Sequence, residues 1–283
     1  MIRIAIQTKG RLNEDSLSLL SDAGLKIDEN KRKFLSIASN YPLEVLYLRD
    51  DDIPQTVANG VADIGIVGLN EVAEKGFKVD VLLKLGFGKC RISLAVPKDE
   101  KYTGIKFFEG KKIATSYPKI LLEYMKSQGV SCSVEEIAGS VEIAPAAGLS
   151  DAIFDIVSSG GTLVSNGLVE VEKVFKSEAV LIGNPSLDEE KKALLKELMF
   201  RFESVIDSRG KKYILMNIPS SAIPEAIKIL PAMRSPTVMP LAQDGWCSLH
   251  SVVQEDVIWD KIKALKEIGA EGILVLSLEK MIM

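Results

Sequence analysis

Apolar residues fall into short β-type runs and alternations, separated by turns of small residues and by stretches of helical period. Residues 2–7 predict a strand, Thr8-Lys9-Gly10-Arg11-Leu12 a turn, and Asn13, with Glu14 and Asp15 behind it, the cap of a helix that Gly24 ends. Phe34–Ala38 and Leu43–Leu48 read as a hairpin pair. After them come Arg49, the acidic triplet Asp50-Asp51-Asp52, and a short helix capped by Asp52 and closed by Gly60. Gly60–Asn70 is a buried strand running into a glycine turn, with Asn70 as helix cap. Val79–Leu85 is apolar, Gly86-Phe87-Gly88 a flexible joint, and Arg91–Pro97 the first strand of a second lobe. That lobe continues with a strand at Lys112–Thr115, a helix from Ser116 to about Gln128, a strand at Cys132–Ile137, a short helix from Ser140 to Ala147, and the run from Asp151. Val169–Ile182 is β-like and long enough to cross back to the first lobe. Over 188–209, Leu194, Leu195, Leu198, Phe202, Val205 and Ile206 recur at helical spacing until Gly210.

Two patterns organise these elements. Gly148-Leu149-Ser150-Asp151 repeats the Gly-x-x-Asp spacing of Gly60-Val61-Ala62-Asp63, and each precedes an apolar strand and a small-residue turn, which suggests two similar α/β lobes. From Lys211 the order becomes βαββαβ, the ferredoxin-like topology. The expected domains are a first lobe of residues 1–90 with 180–209, a second of 91–179, and an appended domain of 210–283.

With 283 residues, 47% apolar and 26% charged, the chain has ample core. A net charge of −4 argues against general nucleic-acid binding, so an anionic substrate needs focused Lys/Arg or a divalent metal. No apolar run suits a bilayer, and Met1–Ile6 reads as a strand opening and not a signal peptide, so a cytoplasmic location is expected. Cys90, Cys132 and Cys247 lie outside any C-x-x-C spacing, as buried reduced thiols do. The single histidine, His250, lies in the last quarter, which removes Ser–His and Cys–His hydrolysis from the first 200 residues.

The chemistry concentrates in Asp151-Ala-Ile-Phe-Asp155-Ile-Val-Ser158-Ser159-Gly160-Gly161-Thr162. Its end supplies hydroxyls and unhindered N–H groups suited to an anion at a helix N-terminus, and its two carboxylates suit the hydroxyls of a sugar. Sugar phosphate is the expected ligand class; an ordinary strand–turn–helix joint is the alternative. Lys9 and Arg11, at the first strand–turn–helix, are candidate phosphate ligands, and Arg49 stands at a strand's C-terminal edge, where it binds a ligand or pairs with the neighbouring aspartates.

Several segments together resemble ATP phosphoribosyltransferase of the long form. They are Ile6–Leu12, Leu48-Arg49-Asp50 with Asp52-Ile53-Pro54, Asp63–Leu69, Leu85–Arg91, Gly139-Ser140-Val141-Glu142 with Ala144-Pro145, the cradle, Asn166-Gly167-Leu168, and Ser235-Pro236-Thr237-Val238. The family's usual Ser-Thr-Gly is here Ser158-Ser159-Gly160, and Asn70 stands where aspartate is frequent. The resemblance implies a two-lobe α/β core like the type II periplasmic binding proteins, plus a ferredoxin-like, ACT-like βαββαβ domain that binds histidine. It also implies transfer of the phosphoribosyl group of phosphoribosyl pyrophosphate to N1 of the adenine of ATP with Mg²⁺, the first step of histidine biosynthesis, by homodimers that assemble into hexamers. On this reading Asp151 and Asp155 take the ribose hydroxyls and Ser158–Thr162 the 5′-phosphate. Lys9 and Arg49 act as catalytic cations, while Arg11, Asn70 and Arg91 face nucleotide or phosphate. Ser235 and Thr237 take the effector, and no protein ligand is assigned to the metal. A solute-binding lobe pair, the effector module of a transcription regulator and a purine-salvage phosphoribosyltransferase are the competing readings.

Overall fold

The computed structural model describes residues 1–27, 34–230 and 235–283, which form two compact units, Met1–Met199 and Phe200–Met283. Among the described residues no helix is long and apolar enough to cross a membrane.

Unit 1 contains two sheets. The first is built from β1 (Ile2–Gln7), β2 (Leu35–Ile37), β3 (Leu43–Leu48), β4 (Ile64–Gly68) and β5 (Asp80–Lys84). Helices α1 (Arg11–Asp22), α2 (Ile53–Ala58) and α3 (Leu69–Lys75) connect them. The second holds β6 (Cys90–Pro97), β7 (Lys112–Thr115), α4 (Pro118–Gln128), β8 (Ser133–Glu136), β9 (Ala152–Val157), α5 (Gly161–Ser165) and β10 (Leu168–Ser177). The chain then returns to the first sheet as β11 (Ala179–Gly183) and enters α6 (Glu189–Ser208).

Strand order is β2-β3-β1-β4-β11-β5 in the first sheet and β10-β6-β9-β7-β8 in the second. β1 runs parallel to β3 and β4, as β7 does to β8 and β9, so the carboxyl ends of β1, β3 and β4 gather at one edge, where open α/β sheets keep ligands. The chain passes between sheets twice, after β5 and at Glu178. The two crossings are tied by Leu85 N to Ala179 O (3.0 Å) and Ala179 N to Phe87 O (2.9 Å). Fully buried Ile2, Ile4, Ile6, Leu43 and Val45 fill the first lobe, and Phe108, Leu121 and Phe154 the second, each removing about 1.5–3 kcal/mol worth of apolar surface from water.

The Gly-x-x-Asp echo has one structural meaning in both lobes. Asp63, just before β4, accepts the amide of Arg3 in β1 at 2.7 Å, and Asp151, just before β9, accepts that of Lys112 in β7 at 2.8 Å. Each aspartate clamps the start of its strand to the neighbouring parallel strand.

Unit 2 contains β12 (Lys211–Pro219), α7 (Ile223–Ile229), β13 (Thr237–Pro240), β14 (Trp246–Gln254), α8 (Ile258–Glu267) and β15 (Glu271–Ser277). Its antiparallel sheet has the order β13-β14-β12-β15, which is the ferredoxin-like arrangement. Ile214, Met216, Ile218 and Leu249 form one face of its core together with Ala226, Leu230, Ile258 and Leu265 from the two helical segments.

Two local expectations change. Glycines, not asparagines, precede the helices: Gly10 caps α1 and Gly68 caps α3, so Asn13 and Asn70 lie inside. Asn13 instead donates to Gln7 O at 2.5 Å. The segment after Ser140 forms a single 3₁₀ turn, Val141–Ile143, in place of a helix to Ala147. The division between units falls within α6, whose later turns engage the C-terminal tail: Met281 N donates to Ser204 O (2.8 Å) and Ser208 Oγ to Glu279 O (3.0 Å).

Candidate active site between the two lobes of unit 1

A cavity of about 220 Å³ opens where the two sheets face each other. Gln7, Arg11, Leu12, Asp50, Gly68, Asn70 and Glu71 line it from the first lobe, Ile156 and Ser158 from the second, and Gly88, Lys89, Cys90 and Ala179 from the crossings.

The cradle loop leaves β9 at Ser158 and enters α5. Gly160 holds φ +87°, a left-handed conformation that a side chain would oppose, so the loop's turn depends on it. Buried Leu163 packs with Val157 and Leu168 and anchors the loop, while Ser158, Ser159, Gly161 and Thr162 remain exposed. Arg91 holds the loop's entry. Its guanidinium grips Glu170 with two bonds (2.5 and 2.6 Å) and donates its third to Ser158 O at 3.0 Å. Ser93 Oγ adds a 2.7 Å bond to the same carboxylate. The Arg91 bond holds the Glu170 carboxyl below its ordinary pKa.

Asp155 is in β9 opposite Ser93 of β6. Burial pushes its carboxyl up to about 6; a bond from the Ile156 amide opposes this and the charge of Glu142 adds to it. Glu142, on the 3₁₀ turn after Ser140, is therefore the carboxylate that Asp155 feels. Ser140 is the one residue other than glycine with positive φ (51°) among the described residues, which marks this turn as backbone held in an uncommon conformation.

A buried network joins the lobes. Asn70 Oδ1 accepts from Ser177 Oγ (2.7 Å), and Asn70 Nδ2 donates to Glu71 Oε1 (3.0 Å) and Tyr117 OH (3.2 Å). Tyr117 OH in turn donates to Glu71 Oε1 at 3.0 Å. A Cβ on Gly68 would lie 2.3 Å from Asn70 Oδ1, so the network requires glycine there. Next to it, the Glu74 carboxylate accepts the first-turn amides of α4, Lys119 N at 2.9 Å and Ile120 N at 3.0 Å.

The ATP phosphoribosyltransferase family pattern matches residues 49–204, and the pattern of the family's C-terminal domain (HisG, C-terminal domain) matches 208–280. The ATP phosphoribosyltransferase of Bacteroides thetaiotaomicron is 58% identical over 282 residues, covering 100% of both chains. The chain belongs to the ATP phosphoribosyltransferase family. A solved ATP phosphoribosyl transferase (HisG:HisZ) complex from Thermotoga maritima matches with a TM-score of 0.64 at 30% identity, over 73% of this chain and 98% of that one. The substrate-binding protein of an amino acid ABC transporter matches at 0.50 and 13% identity, over 73% and 93%, so the two-lobe core has the fold of periplasmic binding proteins.

Placed on this ATP phosphoribosyltransferase fold, the expected site residues separate into groups. Ser158, Ser159, Gly160, Gly161 and Thr162 form one exposed loop, and Arg11 lines the cavity with Ser158. Lys9 is exposed on the same turn as Arg11. Arg49 is 78% exposed, 3.3 Å from Asp51, an ion pair that contributes at most about 1 kcal/mol and leaves the guanidinium able to turn to a ligand.

One expectation is corrected, and two of the expected residues carry structural bonds as well. Asp151 lies at the opposite end of β9, about 20 Å from the loop by strand rise, and its carboxylate clamps Lys112, so it cannot share a sugar with Ser158. Arg91 spends three of its N–H groups on Glu170 and Ser158 O and so also holds the entry of the loop. Asn70 has its amide fully engaged in the interlobe network. The residues missed were Glu142, Glu71, Tyr117 and Ser177. Glu142 stood within a quoted motif, whereas Tyr117 lies 46 residues from its partner Glu71, and no local pattern signals it.

In unit 2, Thr237 is exposed at the start of β13 and pairs in register with His250, and Ser235 is exposed with its hydroxyl 3.3 Å from Pro236 O. Residues 231–234 of the preceding loop lie outside the described residues. His250 sits half-buried between Tyr213 OH (2.7 Å, Nδ1) and Ser248 Oγ (2.8 Å, Nε2).

Proposed function

We propose that the interlobe cavity is where this ATP phosphoribosyltransferase joins N1 of the adenine of ATP to C1 of phosphoribosyl pyrophosphate, the committed step of histidine biosynthesis. The observation that carries this reading is the single cavity wall shared by the Ser158 loop and the basic turn of Arg11. The loop's N–H groups and hydroxyls take the 5′-phosphate, and Asp155 with Glu142, in place of Asp151, takes the ribose hydroxyls. Lys9, Arg11 and Arg49 meet the pyrophosphate and the ATP phosphates.

Adenine N1 already carries a lone pair, so displacement at C1 needs orientation and leaving-group stabilisation and no imidazole base. Mg²⁺ dehydrates reluctantly and would be held chiefly by substrate oxygens, and the chemistry it would supply when bound is neutralisation of pyrophosphate charge. The first lobe is assigned to 1–90 with 180–209, the second to 91–179 and the regulatory domain to 210–283. Histidine binds that last domain through Ser235 and Thr237 and lowers turnover. The enzyme works in the cytoplasm as dimers that assemble into hexamers, without nucleic-acid or membrane partners.

Incubation with ATP, phosphoribosyl pyrophosphate, Mg²⁺ and added pyrophosphatase is expected to yield an N1-ribosylated adenine nucleotide, seen by its altered ultraviolet absorbance. Folded protein that yields none overturns the assignment.

A further inference from the structure

Glu71 has no part in the roles assigned above, yet it is the most enclosed carboxyl on the cavity wall. It is 7% exposed on the first turn of α3 and lines the cavity across from Ile156 and Ser158. The two hydrogen bonds given to its carboxyl, from Asn70 Nδ2 and Tyr117 OH, both end on Oε1. Asn70 is itself fixed by Ser177, so the carboxyl is held from both lobes through one oxygen. Its second oxygen has no donor among the described residues. An enclosed carboxyl on a cavity wall, with one oxygen unpaired by protein, is placed to accept a donor from a ligand in that cavity.

The reaction assigned to this cavity creates such a donor. As N1 of adenine gives its lone pair to C1, the ring becomes cationic, and the amine on the adjacent C6 becomes a stronger donor and an acid. We propose that Glu71 accepts a hydrogen bond from this exocyclic amine and takes its proton as N1 is alkylated, a catalytic and specificity role that rests on the reading of the cleft given above. The N1–C1 bond forms from the N1 lone pair, and the C1–O bond breaks with its electrons leaving on pyrophosphate. The N–H electrons become the C6=N double bond of a neutral 6-imino ring, and the proton passes to the carboxylate and then to water. No oxidant or reductant is needed.

The surroundings suit this task. Burial raises the Glu71 pKa, the Tyr117 bond and Lys75 lower it, and Asp50 and Asp51 raise it further. The groups facing it are thus Tyr117 at the start of α4, Asp50 and Asp51 before α2, and Lys75 on its own helix. A base shifted toward the working pH transfers protons more effectively than an ordinary carboxylate.

The test compares ATP with purine riboside triphosphate, which keeps N1 but lacks the amine, in the full-length enzyme and in Glu71→Gln. Glutamine preserves size and can still accept from Asn70 and Tyr117. The unmodified enzyme is expected to prefer ATP strongly. In Glu71→Gln, kcat/KM for ATP should fall roughly 10²-fold while that for the analogue stays within about threefold. An equal fall for both substrates, or an unchanged preference, overturns the proposal, because a strut between lobes serves both nucleotides alike. Tyr117→Phe, which removes one of the two bonds that orient Oε1 but keeps the carboxylate, covers the case in which Glu71→Gln does not fold. It should lose part of the preference, and a preference unchanged there overturns the proposal as well. Absence of turnover by the unmodified enzyme would instead overturn the reading of the cleft, and this proposal with it.

Discussion

Asp155→Asn should make the free enzyme more stable and nearly inactive, and both effects follow from one buried carboxyl. The carboxyl pKa rises from an ordinary 3.8 to about 6 in the fold, chiefly through burial. Above pH 6 the group is ionised in both the folded and unfolded chain, and the folded state bears the cost of holding the charge. That rise corresponds to about 3 kcal/mol of destabilisation at pH 8. Below the unfolded value of 3.8 both states are protonated and the cost vanishes; it grows as pH rises and levels off above the folded pKa. Asparagine is never charged and can still accept the Ile156 amide bond. Thermal melts across pH 4 to 8, monitored by circular dichroism without ligand, should therefore diverge as pH rises. At pH 8 the variant should melt roughly 6–12 °C higher, given about 2–4 °C per kcal/mol for a chain of this size. Turnover should fall roughly 10²-fold, as loss of ribose placement costs. A variant no more stable than the unmodified enzyme at pH 8 would refute the idea that this carboxylate is held charged for a ligand against the preference of the fold.

Arg49→Ala should raise the KM of a phosphate-bearing substrate about tenfold with melting temperature unchanged, since a guanidinium this exposed loses only a surface pair; a sharp fall in melting temperature with normal KM values would make it structural. Glu170→Gln should weaken the grip of Arg91 and loosen the entry of the cradle, raising KM for phosphoribosyl pyrophosphate several-fold more than KM for ATP, as steady-state kinetics with each substrate varied would show. Histidine should bind the intact chain by calorimetry and lower turnover, and Thr237→Trp should abolish both while leaving basal activity intact; binding unaffected by that substitution would place the effector elsewhere.

The sequence made the architecture readable because each lobe is built from short apolar strands closed by small-residue turns, and the switch to βαββαβ after Gly210 survives in the observed strand order. The strand–turn–helix form of the loop was readable for a similar reason, since Ser158 to Thr162 are one contiguous stretch between β9 and α5. What could not be read depends on distance across the fold. Asp151 and Asp155 share one face of a strand, but four residues of strand rise separate them by about 13 Å, and spacing in the sequence does not show that separation. Arg91 looked like a free cation because Glu170 lies 79 residues away. Asn13 and Asn70 looked like caps because side-chain preference favours asparagine there, whereas the backbone reaches those helices through Gly10 and Gly68.

The central claim is that the Ser158 loop, with Asp155 and Glu142, receives the phosphoribosyl group. Amide hydrogen exchange with and without phosphoribosyl pyrophosphate and Mg²⁺ tests it most directly. The account predicts strong protection of the amides from Ser158 to Asn166 and of the turn around Glu142, and no such protection when Asp155 is replaced by Asn at the same ligand concentration. Unchanged exchange in the loop, with protection appearing elsewhere in the chain, would contradict it.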